Sequence, residues 1–138
     1  MARQRGVLKA IAMGCIPLLH LYLFYCWCNE VKVRWKIAGI NATLYTAMFL
    51  FPILNIYPLY RLLSHVQDNL AKEGKKAYPT NPLYLSILMY VAFPVLLLPG
   101  TLVCPIILAA LAVPVATWLY IIYRTQSLFN ENGVNALC

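Results

Sequence analysis

Three stretches of this chain carry no Asp, Glu, Lys or Arg: Ala10–Cys28, Ile37–Tyr60 and Ala77–Tyr123. A helix crossing the hydrocarbon core of a bilayer needs about 20 predominantly apolar residues. The first two runs therefore match one span each. The third is too long for one and matches two, with the break expected at Pro99–Gly100, where proline offers no N–H and glycine accepts a left-handed backbone. Spans are expected near 8–28, 37–60, 83–98 and 101–123. The third is short and contains Pro94, so 83–98 with 101–123 also fits a re-entrant hairpin.

Composition points the same way. Only 11% of the 138 residues are charged and mean hydropathy is +0.71, whereas a soluble domain carries roughly 25% charged residues. The expected class is an all-α integral membrane protein in one domain, 1–138, multi-pass, with about four transmembrane helices. Net charge is +7. With a cytoplasmic N-terminus, Arg3, Arg5, Lys9, Arg61, Lys72, Lys75, Lys76 and Arg124 lie inside, and Lys32, Arg34 and Lys36 outside. This bias agrees with basic cytoplasmic flanks and places both termini in the cytoplasm. Beside so much apolar sequence these cations read as headgroup anchors, not as a nucleic-acid surface. The basic start followed by an apolar run resembles a secretory signal, but it lacks a small-residue cleavage site and is expected to be retained.

Between the expected spans, the strand-like alternation "NEVKVRWK" reads as a segment lying in the interface. Pro58 is expected to stop or kink span two. A cytoplasmic amphipathic helix follows within 59–76, carrying Leu62, Leu63, Val66 and Leu70 on one face and closing at Gly74. The segment 124–138 reads as a loosely ordered polar tail.

One pattern recurs. "IPLLHLYLFYCWCNEV", 16–31, laid over "FPILNIYPLYRLLSHV", 51–66, matches Pro17 with Pro52, Leu19 with Leu54, Tyr22 with Tyr57, Tyr25 with Tyr60 and Val31 with Val66. A partial third copy contains Tyr120, Tyr123 and Arg124. The simpler explanation is interfacial anchoring, in which Tyr22, Tyr25, Tyr57, Tyr60, Tyr120 and Tyr123 settle at headgroup level while Arg61 and Arg124 snorkel. The sharper one is duplication of a one-span unit, with copies running antiparallel as in transporters.

The two segments also resemble a small prokaryotic membrane domain family whose helix ends carry a Gly/Asn-Ile-Tyr-x-x-Tyr/Trp signature. This chain has Asn55 and His20 where that signature carries its glycine. The family has no assigned activity, so the resemblance implies a small helical membrane protein and no chemistry.

Candidate chemistry is sparse. His20, deep in span one, suits a haem ligand, a metal ligand or a proton carrier, but more simply a packed, hydrogen-bonded imidazole. His65, the other histidine, lies beyond Arg61. Cys26 and Cys28 suit a soft metal such as Cu(I), or act as small interfacial hydrophobes. The acids Glu30, Asp68, Glu73 and Glu131 all lie outside the expected spans. No paired carboxylates, nucleophile elbow, phosphate loop or zinc-protease helix occurs. No enzyme activity and no cofactor are expected. The expected role is an accessory, assembly or scaffold subunit, with the bilayer and other membrane subunits or further copies of itself as partners. Two alternatives are an oligomeric transporter or channel using His20 and Asn55, and a haem- or metal-binding subunit using His20 with Cys26 and Cys28.

Overall fold

The computed structural model describes residues 5–51, 54–90 and 105–134, without the side chains of Pro17, Tyr90 and 105–111. Among the described residues the fold is all-α, with six helices and no strand. They are α1 (Val7–Cys15), α2 (Pro17–Trp35), α3 (Ala42–Phe49), α4 (Ile56–Lys72), α5 (Pro82–Tyr90) and α6 (Pro105–Glu131). Among these residues no helix is long and apolar enough to cross a membrane.

The first apolar run is not one rod. Ile16 takes an extended backbone (φ −101°, ψ 124°) that ends α1, and Pro17 opens α2 at its first position, where its missing N–H costs nothing. The two helices fold back as a hairpin. The Arg5 Nη2 lies 2.6 Å from Glu30 Oε1, whereas a continuous helix would separate these residues by about 38 Å at 1.5 Å per residue. Both ends of the expected span 8–28 therefore lie at one end of the molecule.

The second run, 37–60, breaks likewise. Asn41 caps α3 by accepting a bond from the Leu44 N–H (3.1 Å), and α3 stops at Phe49. Turn bonds from Phe51 N–H to the Met48 carbonyl and from Asn55 N–H to the Phe51 carbonyl lead into α4. At one end α3 meets α2, with Phe49 stacked on Phe24 (4.3 Å) and beside His20 (5.7 Å). At the other, Glu73, just past α4, accepts from the Trp35 indole N–H at the end of α2. So α3 rises toward the apolar end and α4 returns from it beside α2.

Three further expectations change. The alternating segment 29–36 is helical: α2 runs to Trp35 and closes where Lys36 takes a left-handed backbone (φ 51°), with Ile37 N–H bonded to the Lys32 carbonyl. α4 starts at Ile56, ahead of Pro58, because a first-turn N–H has no intrahelical acceptor and its loss is tolerated. It closes at Gly74 (φ 74°) as the sequence suggests. The polar tail is helical to Glu131, with Leu128 and Phe129 buried. Bonds four residues apart, Gln126 to Asn130 and Ser127 to Glu131, support that last stretch.

α6 runs parallel to α2. His20 faces the Trp118 ring edge (6.2 Å) and the Trp27 indole N–H donates to Gln126 Oε1 (3.3 Å). The offset of 98 to 99 residues sets Tyr22 level with Tyr120 and Tyr25 level with Tyr123. α5 starts beside the C-terminal half of α6, where the Tyr78 and Thr125 hydroxyls bond (2.9 Å) and Arg124 Nε donates to the Ala77 carbonyl (2.9 Å). The second half of span 83–98, the Pro99–Gly100 turn and the first residues of span 101–123 lie outside the described residues.

Thus α2, α4 and α6, which carry the three tyrosine motifs, descend together toward one end. The copies on α2 and α4 each follow a described turn as its return arm, and α6 runs alongside α2, so the copies are parallel and not inverted. The core between them is apolar and aromatic: Leu23, Phe24, Trp27 and Val31 of α2, Leu59, Leu62, Leu63, Val66 and Leu70 of α4, and Ile121 and Ile122 of α6 are fully buried. Burying each such side chain contributes about 1.5–3 kcal/mol. Gly14 permits a close approach of α1 to α6. Trp118 Nε1 donates to its carbonyl (3.0 Å), and a Cβ there would overlap Ile122 Cδ1.

Candidate functional site

The molecule has two unlike ends. Around the first two turns the large apolar side chains face outward: Ile16 is 50% exposed, Leu18 79%, Leu50 62% and Phe51 59%. At the opposite end the charged groups gather. Arg5 pairs with Glu30, Lys75 with Glu73, and Arg124 with Glu131 (3.9 Å). The tyrosines lie between: Tyr22, Tyr25, Tyr57 and Tyr123 are exposed, Tyr60 and Tyr120 half-buried.

The expected anchors divide by role. Arg124 does not snorkel freely, because its guanidinium bonds the Ala77 and Lys76 carbonyls and fastens the 76–77 segment to α6. Arg61 is half-buried, and the Tyr45 hydroxyl foremost, with Tyr57 and Tyr60, holds its guanidinium above its already high ordinary value. Arg5, expected at a headgroup, is buried. Its side chain and that of Glu30 are each 2% exposed. Around them the Asn130 amide donates to the Arg5 carbonyl (3.1 Å), and Gln126 Oε1 takes bonds from Trp27 and Arg5. This clasp ties the start of α1 to α2 and α6. No spacing in the sequence announces it.

His20 is half-buried between the rings of Phe49 and Trp118, an aromatic setting that supports packing over ligation. Asn55 is buried where α4 begins, and its backbone carbonyl accepts the Leu59 N–H (3.3 Å). Its Oδ1 has no hydrogen-bond partner among the described residues. Because the repeat copies are parallel, His20 and Asn55 are not the matched pair of an inverted pathway. Cys26 and Cys28 do not offer two thiolates either: Cys26 is disulfide-bonded, while Cys28 is free and buried. Cys15 is a free, exposed thiol beside the first turn. Among the described residues no group of three or more His, Cys, Asp or Glu side chains could hold a metal ion.

The structure adds a site that sequence reasoning missed. A polar cleft of about 410 Å³ runs between one face of α4 and the 76–82 segment. Tyr60, Arg61, Ser64, Gln67 and Asp68 line one wall, and Lys76, Tyr78, Thr80 and Asn81 the other. The α4 residues recur at helical spacing, so they share a face. Asn81 Oδ1 accepts from the Leu83 N–H (2.9 Å), which caps α5 at the cleft's edge. Tyr78 is fully buried beneath it, and burial raises its phenol above the ordinary value. His65, on the same helix, is lowered below the ordinary imidazole value, first by burial and then by the Arg61 charge. The one available signal was the polar positions Ser64, Gln67 and Asp68 opposite the leucine face of α4.

No family model, characterised protein or solved structure matches this chain, so its function is argued from its own residues.

Proposed function

We propose that the chain is a membrane-associated accessory or scaffold subunit, without chemistry of its own, that enters lipid from one face as helical hairpins. The observation that carries this reading is the segregation of the molecule's ends: apolar side chains project around the turns while Arg5 and Glu30 meet at the other end. From those charged groups to Ile16 is about 20 Å of helix at 1.5 Å per residue. That depth falls short of a hydrocarbon core of about 30 Å. Buried backbone in lipid must be hydrogen-bonded, and the helical arms of each hairpin meet that demand without crossing.

In this arrangement the basic residues of the first two hairpins face one membrane surface, where each adds roughly 1 kcal/mol of attraction to anionic lipid. The exposed tyrosines lie at the depth where such rings settle. The exposed apolar flanks would meet lipid or a second membrane subunit. Extraction from the native membrane in mild detergent tests the role. A scaffold subunit emerges in fixed stoichiometry with other chains and resists release by alkaline carbonate. Release by carbonate contradicts insertion, and emergence as a lone monomer contradicts the scaffold role.

A further inference from the structure

We propose that the cleft between α4 and the 76–82 segment binds a phosphoethanolamine group, with the phosphate at Arg61 and Lys76 and the ammonium at Gln67 and Asp68. Three observations on the α4 wall carry this. First, the wall is ordered by charge: Tyr57, Arg61, Ser64 and Asp68 follow one another along a single face, cation nearer the apolar end and carboxylate nearer the charged end. Second, two side-chain atoms on this wall are buried without hydrogen-bond partners among the described residues, Arg61 Nε and Gln67 Oε1. One is a donor and the other an acceptor. A buried polar atom without a partner is destabilising, and a ligand bearing both an anion and an N–H cation satisfies the pair. Neither atom touches solvent in its present rotamer, so a rotation of each flexible side chain accompanies binding.

Third, the wall continues into exposed apolar surface. Leu54 and Tyr57 are about half exposed just before Arg61. From the turn toward the charged end, the order is therefore apolar surface, cation, hydroxyls, carboxylate. That is the order of acyl chain, phosphate and amine in phosphatidylethanolamine. Arg61 and the exposed Lys76 supply charge-assisted bonds to phosphate oxygens, with the Ser64 and Thr80 hydroxyls beside them. Gln67 and Asp68 accept hydrogen bonds from a primary ammonium. A choline group has no N–H to donate, so the site discriminates against it.

The chemistry is the same for the lipid headgroup and for free phosphoethanolamine. Only the lipid as source rests on the one-sided insertion proposed above. The test is calorimetric titration of the purified full-length chain, in detergent, with dihexanoyl phosphatidylethanolamine, the matching choline and glycerol lipids, phosphoethanolamine and inorganic phosphate. The ethanolamine lipid is expected to bind at least tenfold more tightly than the choline lipid. Arg61→Gln weakens it about tenfold, and Lys76→Gln provides the same test should Arg61→Gln fail to fold. Asp68→Asn weakens the ethanolamine lipid while leaving the glycerol lipid unchanged or tighter.

If the lipid outbinds free phosphoethanolamine, the membrane is the source; equal binding makes the soluble compound the ligand, and either result supports the site. Equal affinity for ethanolamine and choline lipids overturns the proposal. So does inorganic phosphate competing as well as phosphoethanolamine, or insensitivity to both the Arg61 and Asp68 substitutions. Because phosphoethanolamine needs no bilayer, this outcome is separable from the failure of the insertion reading.

Discussion

The Arg5–Glu30 pair turns the hairpin architecture into a measurable energy. Both side chains are almost wholly buried and their closest atoms are 2.6 Å apart. Glu30→Leu strands the Arg5 guanidinium in a site closed to water. Removing one partner of a buried pair costs about 3–5 kcal/mol, while replacing both by apolar residues of similar volume is often neutral. At 1.4 kcal/mol per tenfold, the single substitution shifts the unfolding equilibrium by roughly two to three and a half decades. That is a large part of the 5–15 kcal/mol typical of a whole domain. Arg5→Leu takes the cation away from the buried Glu30 carboxylate and falls in the same range. The double variant should recover most of the Glu30→Leu loss. The assay is a double-mutant cycle of unfolding in mixed micelles, followed by tryptophan fluorescence from buried Trp27 and by maleimide capture of buried Cys28. A coupling of about 2 kcal/mol or more is expected. In a chain whose 8–28 segment crosses the bilayer, the two residues sit on opposite faces and their coupling is zero. A measured coupling below about 0.5 kcal/mol would refute the reasoning.

Further outcomes follow from other contacts. Gly14→Ala introduces a Cβ that overlaps Ile122 Cδ1, and should cost about 1–3 kcal/mol; Ile122→Val in the same chain should restore part of it, and a neutral Gly14→Ala would mean the contact is looser than described. Tyr78→Phe removes the hydroxyl bonded to buried Thr125 and should destabilise by about 1–3 kcal/mol in chemical denaturation. Burial raises the Tyr78 phenol above its ordinary value of 10.0, so the unfolded chain ionises first as pH rises. The Tyr78 contribution is thus complete below pH 10 and declines above it until the folded phenol itself titrates, a decline that Tyr78→Phe should abolish. In lipid vesicles Cys15, exposed beside an apolar turn, should resist an aqueous maleimide yet react in detergent; equal rates in both media would count against insertion of that turn.

How much of this fold is legible in the sequence depends on the kind of signal. Helical class follows from the long apolar runs, and the α4 leucine face with its Gly74 stop is written in local spacing. The tyrosine motif is also visible, and its three copies do hold corresponding places on α2, α4 and α6. Its direction is not, because whether a helix continues or turns back at Ile16–Pro17 depends on what its far end meets. Pro17 is compatible with a kinked span as well as with a fresh helix start. The decision comes from partners distant in the chain: Glu30 for Arg5, Trp118 for Gly14, Phe49 for His20. The charge-free stretches alone suggest crossing, since hydropathy counts residues and not their path. The same limit hid the cleft, whose walls come from α4 and from 76–82, the second held to α6 by the clamp of Arg124 on the Ala77 carbonyl. His20, Asn55, Cys26 and Cys28 attracted notice for their chemistry, but packing and a disulfide account for three of the four. Asn55, with its buried Oδ1, keeps an open polar atom among the described residues.

The most direct test of the account is the sidedness of the two arms of the first hairpin. Single cysteines introduced at the exposed positions Lys9 and Lys32, in sealed vesicles of one orientation and in a chain with Cys15 replaced by serine, are labelled with a membrane-impermeant maleimide from either side. The hairpin predicts that both positions react from the same side and are silent from the other. Labelling of Lys9→Cys from one face and Lys32→Cys from the opposite face would contradict it, and would return this segment to a single crossing helix.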